Sequence, residues 1–266
     1  MMPSTTFTRI VHQAPFHDAG HGYDEFGLHP PSLAAVVEAS RAIYESYFRV
    51  DSQGASSIPA SGPVIVIANH AGVLPVDAAL LCLDIVLRTD PPRIPRPVAD
   101  HFVPRLPLAS TLFARLGTVS GTRANVRHLL ERGELIAIWP EGVSGPAKPF
   151  RERYRIQSWR VGFAELAIRY RVPIVPVAII GAEESWPVLA RLRALRVFGA
   201  PYLPIPATPV PLPVHFHLRY GPPLVADRDP ADANDPAIVA DVAAAARAAL
   251  EGLIATALRD RGGVFQ

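Results

Sequence analysis

A chain of 266 residues, 49% hydrophobic, can bury a large core as one large domain or two small ones. The net charge of +2 is carried by scattered arginines, with Lys148 the one lysine and no aromatic interleaving, which argues against nucleic acid as a partner. Such a mildly basic surface suits anionic lipid or a coenzyme phosphate. The single cysteine, Cys82, excludes an internal disulfide and, set in an apolar run, reads as a buried small hydrophobe in a reducing compartment.

In chain order, residues 1–30 are rich in His, Gly and Pro and predict an irregular segment. Met1 to Asp18 hold no apolar stretch of the kind a signal peptide needs. His12, His17, Asp18, His21 and Asp24 match no metal-ligand spacing, so no metal is expected. From Pro31 to Val50, apolar residues recur at three- and four-residue intervals and predict a helix. A polar linker, Gln53 to Gly62, follows. Strand-like and helix-like runs then alternate: a strand at Val64–Ala68, a helix at Val76–Leu87, a short strand at Ile94–Ala99, a short helix at Leu108–Leu116, and a helix at Thr122–Arg132. A strand at Leu135–Trp139, a helix at Ser158–Tyr170, and strands at Ile174–Ile180 and Val214–Tyr220 complete the series. Asp235-Pro236 is a strong helix start, because Asp accepts from first-turn amides and Pro suits the first helical position. Val239, Val242, Ala246, Leu250, Leu253 and Ala257 predict the buried stripe of the helix that follows. This alternation predicts an α/β fold with a central, mostly parallel sheet flanked by helices.

Two strand ends carry chemistry. The first apolar strand stops at Asn69-His70, and Asp77 opens the next helix. A histidine titrates near neutral pH, and a carboxylate on its second ring nitrogen fixes the tautomer and stabilises the imidazolium. Such a pair removes a proton from a hydroxyl without a nucleophile of its own. The second is Trp139-Pro140-Glu141-Gly142, a carboxylate in a glycine-flanked turn, with Lys148, Arg151, Arg153 and Arg155 beyond it as a cluster that either holds phosphate or is a solvated face. In a parallel sheet, ligands bind at the carboxyl ends of strands, so His70 and Glu141 would share one edge. Ser120 and Ser144 lack a nucleophile-elbow frame. His215 and His217 alternate on one strand face and read as structural.

Four blocks in order resemble the glycerolipid acyltransferase superfamily, which includes the lysophosphatidic acid acyltransferases. Asn69-His70 with Asp77 is similar to its catalytic block, and Gly117-Thr118-Val119-Ser120-Gly121-Thr122-Arg123 falls where the second lies. Trp139-Pro140-Glu141-Gly142 resembles the third, Phe-Pro-Glu-Gly, and Val172-Pro173-Ile174-Val175-Pro176-Val177 the fourth. The resemblance spans roughly residues 45–225. It departs from the common pattern twice. Six residues rather than four separate His70 from Asp77, as in the branch resembling monoacylglycerol and diacylglycerol acyltransferases. The third block continues Val143-Ser144-Gly145 instead of Thr-Arg-Ser, so the arginine that helps bind an acceptor phosphate is missing.

The resemblance implies an acyltransferase domain over residues 31–266, with His70 and Asp77 catalytic. It implies Glu141, Gly142, Arg123, Lys148 and Arg151 in substrate binding, and Asn69, Gly72 and Pro140 in shaping the site. Loop amides near Gly72 or Gly142 would meet the oxyanion. The implied reaction is O-acyl transfer from acyl-CoA or acyl carrier protein to a lipid-like alcohol, with no bound cofactor. The alternatives are N-acyl transfer to an amine, a thioesterase-like hydrolysis, or a lipid-binding protein on the same fold. No run reaches the roughly 18 apolar residues of a spanning helix. The expectation is a cytoplasmic protein lying on the membrane surface, through an amphipathic helix over Trp186–Phe198 in which Leu192 and Phe198 face lipid.

Overall fold

The central strands form because their β-branched runs are apolar on both faces, which suits a sheet covered by helices on either side. In the computed structural model, which describes residues 11, 13–146, 148–192 and 202–265, β2 (Val64–Ala68) and β6 (Ile174–Ile180) are buried at every position. They lie at the middle of a seven-stranded sheet with β1 (Asp51–Gln53), β3 (Pro95–Ala99), β4 (Val119–Ser120), β5 (Leu135–Ile138) and β9 (His217–Tyr220), in the order β1-β9-β6-β2-β5-β3-β4. The run from β6 to β4 is parallel; β9 pairs antiparallel with β6, and β1 follows β9.

One face of the sheet packs on α1 (Pro30–Ala42) and α2 (Val76–Arg88), the other on α4 (Arg123–Glu131), α5 (Gly162–Tyr170) and α7 (Pro236–Asp260). The short α3 (Ala109–Arg115) and α6 (Ala182–Ser185) sit on connections. Asp235 caps α7 by accepting from the Ala237 amide at 2.8 Å, as the Asp-Pro start predicts. Val239, Ala246, Leu250 and Ala257 are buried on α7 as expected.

Several expectations shift. The helix predicted over Pro31–Val50 ends at Ala42 and passes into a π-helical turn, Ile43–Tyr47. The strand predicted from Val214 begins only at His217. The larger correction concerns Trp186–Phe198. Pro187 forces Trp186 out of the helical region and ends α6, as expected of a residue before proline. The chain then runs as β7 (Val188–Leu192), paired antiparallel with β8 (Leu203–Pro206), so no amphipathic helix forms there. Leu192 is exposed, while Phe198 lies outside the described residues. Among the described residues, no helix is long and apolar enough to cross a membrane.

Asp84 interrupts the apolar run of α2 and is fully buried. Tyr44, Ser52 and Tyr220 donate to its carboxylate, which answers the desolvation that raises its pKa. The irregular N-terminal stretch packs on the domain through a buried ion pair, Arg96 with Asp24 at 2.6 Å.

Candidate active site

Register places His70 and Glu141 side by side. Ile67 of β2 pairs with Ile138 of β5, and each residue lies three positions further along its chain. The Glu141 Oε1 accepts the His70 backbone amide at 3.0 Å, and its Oε2 accepts the Gln157 amide at 2.8 Å. Glu141 is thus a buried clamp that holds the turn carrying His70.

Asn69 works from the other side. Its side chain donates to the Ile179 carbonyl and accepts the Ile179 amide, each at 2.8 Å. These two bonds extend the β2–β6 ladder one residue beyond the strand, so the chain leaves the sheet at His70 and not before.

The longer loop still closes on the histidine. The His70 Nδ1 lies 2.6 Å from the Asp77 Oδ2, which also accepts the Ala71 amide at 3.0 Å. Asp77 is buried in the first turn of α2, where the helix dipole favours a carboxylate. The two extra residues are taken up in an exposed bend at Leu74 and Pro75, which Gly72 enters at φ 94°. That is a left-handed conformation a side chain would strain. Burial disfavours the charged imidazole, but the Asp77 carboxylate outweighs it, with a smaller pull from Glu141, and the His70 pKa ends above its usual value. With Nδ1 held by Asp77, Nε2 is the nitrogen left for a substrate. Gly145 packs directly on the histidine, since a Cβ there would stand 2.8 Å from both the His70 Cβ and its carbonyl oxygen.

The other residues singled out from sequence scatter. The Gly142 amide donates to the Trp139 carbonyl at 2.9 Å and is therefore engaged. The Gly72 amide has no acceptor among the described residues. Pro140 and Gly142 line a cleft of about 200 Å³ beside Trp139, whose ring centre is 5.5 Å from that of His70. Arg123 reaches this cleft from the start of α4, exposed and paired with Glu165 at 2.9 Å. Arg151 is exposed beside Glu152.

Lys148 belongs to neither a phosphate cluster nor a solvated face. Its side chain is 1% exposed and its Nζ lies 3.3 Å from Glu141 and 3.5 Å from Glu183. Burial pushes the Glu183 carboxyl up to about 7, although Lys148 pulls it down. Beside it, Glu184 is bound by Tyr154 and by Arg261 at 2.9 Å. Sequence reasoning missed Glu183 and Glu184, yet Gly181-Ala182-Glu183-Glu184 follows β6 as Pro140-Glu141 follows β5. The rule that flagged Glu141 would have found them. It also missed Arg160, which lines the cleft and pairs with Asp100 at 2.7 Å. No signal in the sequence separates it from the other arginines.

A parallel sheet ending in an Asp-oriented histidine defines the class to which comparisons can be made. The chain belongs to the acyltransferase family, whose model matches residues 49–180. An uncharacterised protein of Mycobacterium tuberculosis is 35% identical over 257 residues, which cover 92% of this chain and 72% of that protein. A Gallus gallus protein named DGAT1/2-independent enzyme synthesizing storage lipids is 32% identical over 242 residues, covering 88% of this chain and 67% of that one. The crystal structure of the 1-acyl-sn-glycerophosphate acyltransferase PlsC from Thermotoga maritima superposes with a TM-score of 0.56 at 18% identity, over 87% of this chain and 81% of that chain, a likeness of fold. The chain is thus an acyltransferase of the glycerolipid type.

Proposed function

We propose that the protein is an O-acyltransferase that moves a fatty acyl group from an acyl thioester, carried on CoA or a carrier protein, to the hydroxyl of a neutral glyceride or long-chain alcohol. The observation that carries this reading is the 2.6 Å contact between His70 Nδ1 and Asp77, which leaves Nε2 to receive a proton. The acceptor O–H gives its proton to Nε2 as the oxygen bonds to the thioester carbonyl carbon, and Asp77 stabilises the imidazolium. The Gly72 amide is the donor for the oxyanion. As the intermediate collapses, the C–S bond breaks and the leaving thiolate takes the proton back from His70. A thioester is already activated, so no acyl-enzyme is required.

The neutral acceptor rests on Val143-Ser144-Gly145, which places no arginine after the Pro-Glu-Gly turn, and it agrees with the storage-lipid name of the Gallus gallus relative. The site works at a membrane surface, where both long-chain substrates reside. The test is an acceptor screen with labelled long-chain acyl-CoA and a His70→Ala control. Glycerides or alcohols should be acylated at least as well as lysophosphatidate. A clear preference for lysophosphatidate, lost in Arg123→Ala or Arg151→Ala, would overturn the neutral-acceptor assignment.

A further inference from the structure

The loops that follow β2, β3, β5 and β6 all leave the same edge of the sheet, because these strands are mutually parallel. The segments that follow these strands hold at least six of the thirteen exposed large apolar side chains among the described residues. Leu74 follows β2, Leu108 and Leu112 follow β3, Phe150 follows β5, and Leu189 and Leu192 follow β6. The stretch after β3 is the most extreme. Neither the 3-10 turn Val103–Arg105 nor α3 buries a single residue, whereas a helix packed on its own protein buries one face. Leu108 is 90% exposed and held at φ 63°, a backbone conformation that side-chain-bearing residues rarely adopt.

The same rim is cationic. Arg105 and Arg115, on either side of Leu108 in the chain, are exposed, and so is Arg151, next to Phe150 in sequence and paired with Glu152. The two acids that line the cleft, Asp100 and Glu165, are already paired, with Arg160 and Arg123. An apolar recess of about 250 Å³, lined by Val103, Phe113 and Val119, opens beneath the Leu108 loop and shares Ala99 with the cleft beside Trp139.

We propose that this edge is the face by which the protein docks on a bilayer carrying anionic lipid. Leu74, Leu108 and Leu112, and Leu189 and Leu192 on β7, enter the acyl region and the arginines meet lipid phosphates. The proposal rests on the lipid acyltransferase reading and gives that site its partner. With the catalytic edge facing the bilayer, a lipid chain passes from membrane to recess without crossing water. The charge complementarity favours anionic lipid over a second copy of this basic chain.

The test is flotation of the full chain with phosphatidylcholine vesicles made with and without phosphatidylglycerol. Leu108→Glu combined with Leu112→Glu should lower vesicle partitioning at least about tenfold, given what burial of one leucine contributes. The control is Val225→Glu. Val225 is exposed beyond β9, which runs the other way, and its neighbour Leu224 bridges to Ile174 at the opposite edge. The control should bind as the wild type does, and phosphatidylglycerol should strengthen binding. A wild type that does not float on anionic vesicles, or a control that loses as much as the double variant, would overturn the proposal. So would a dimer in sedimentation that Leu108→Glu disrupts while flotation is unchanged, which assigns the surface to a second copy. Wild-type acyl transfer in detergent micelles is measured in parallel. Flotation without activity would sink the proposed function and leave the docking face standing; activity without flotation would do the reverse.

Discussion

Replacing Lys148 by methionine removes a cation enclosed between two carboxylates, 3.3 Å from Glu141 and 3.5 Å from Glu183, with all three side chains under 5% exposed. Breaking a buried pair by removing one partner costs about 3–5 kcal/mol. Glu141 keeps its bonds from the His70 and Gln157 amides, and Glu183, already pushed up to about 7, takes up a proton when the cation is lost. The lower end, about 3 kcal/mol, therefore applies near pH 7, and at about 2–4 °C per kcal/mol the melting point should fall by roughly 6–12 °C. The loss should grow with pH. Above 7 the wild-type Glu183 is ionised and paired, while the variant holds it protonated, so the difference widens by about 1.4 kcal/mol per pH unit. Calorimetry at pH 6 and pH 8 measures both effects, and Lys148→Met combined with Glu183→Gln should recover most of the loss at the higher pH. A shift of under about 1 °C, or a loss independent of pH, would refute the reasoning that Lys148 holds a buried charge pair together.

His70→Ala and Asp77→Ala should each lower acyl transfer at least about 100-fold while circular dichroism shows an intact fold; near-full activity in His70→Ala would end the general-base mechanism. Because the His70 pKa is raised and the neutral ring is the base, kcat/KM should rise with pH along a limb centred above the usual 6.5, and Asp77→Asn should move that limb down, as a pH–rate profile will show. For stability the sign is opposite: the charged His70–Asp77 pair contributes fully below the unfolded pKa and is lost as pH rises through the folded one. Gly145→Ala should cut turnover by tenfold or more with little change in melting point, because its Cβ would press on His70 from 2.8 Å and displace the ring; an unchanged rate would show that the loop yields instead. Glu183→Gln should flatten the decline in stability between about pH 5 and pH 7, because a carboxyl raised to about 7 stabilises the fold when protonated and loses that contribution as it ionises; urea titrations along the series measure the slope.

Much of the architecture was legible in the chain. Val64–Ala68 and Ile174–Ile180 are strands in the structure with the bounds the sequence suggests, because fully apolar β-branched runs have few alternatives. The rule that ligands meet strand ends brought His70 and Glu141 to one edge, and local spacing brought Asp77 toward the ring despite the longer loop. What tertiary structure decided lies in charges and in edge segments. Lys148, Arg151 and Arg153 look alike in sequence, yet one is buried between carboxylates and the others stay near water, since burial depends on partners supplied by a distant strand end. Trp186–Phe198 shows helical spacing of leucines and arginines, but Pro187 and pairing with Leu203–Pro206 make its described part a strand. A hydrophobic pattern records which side chains avoid water locally; which backbone or charge waits across the fold is settled only when the sheet closes around it.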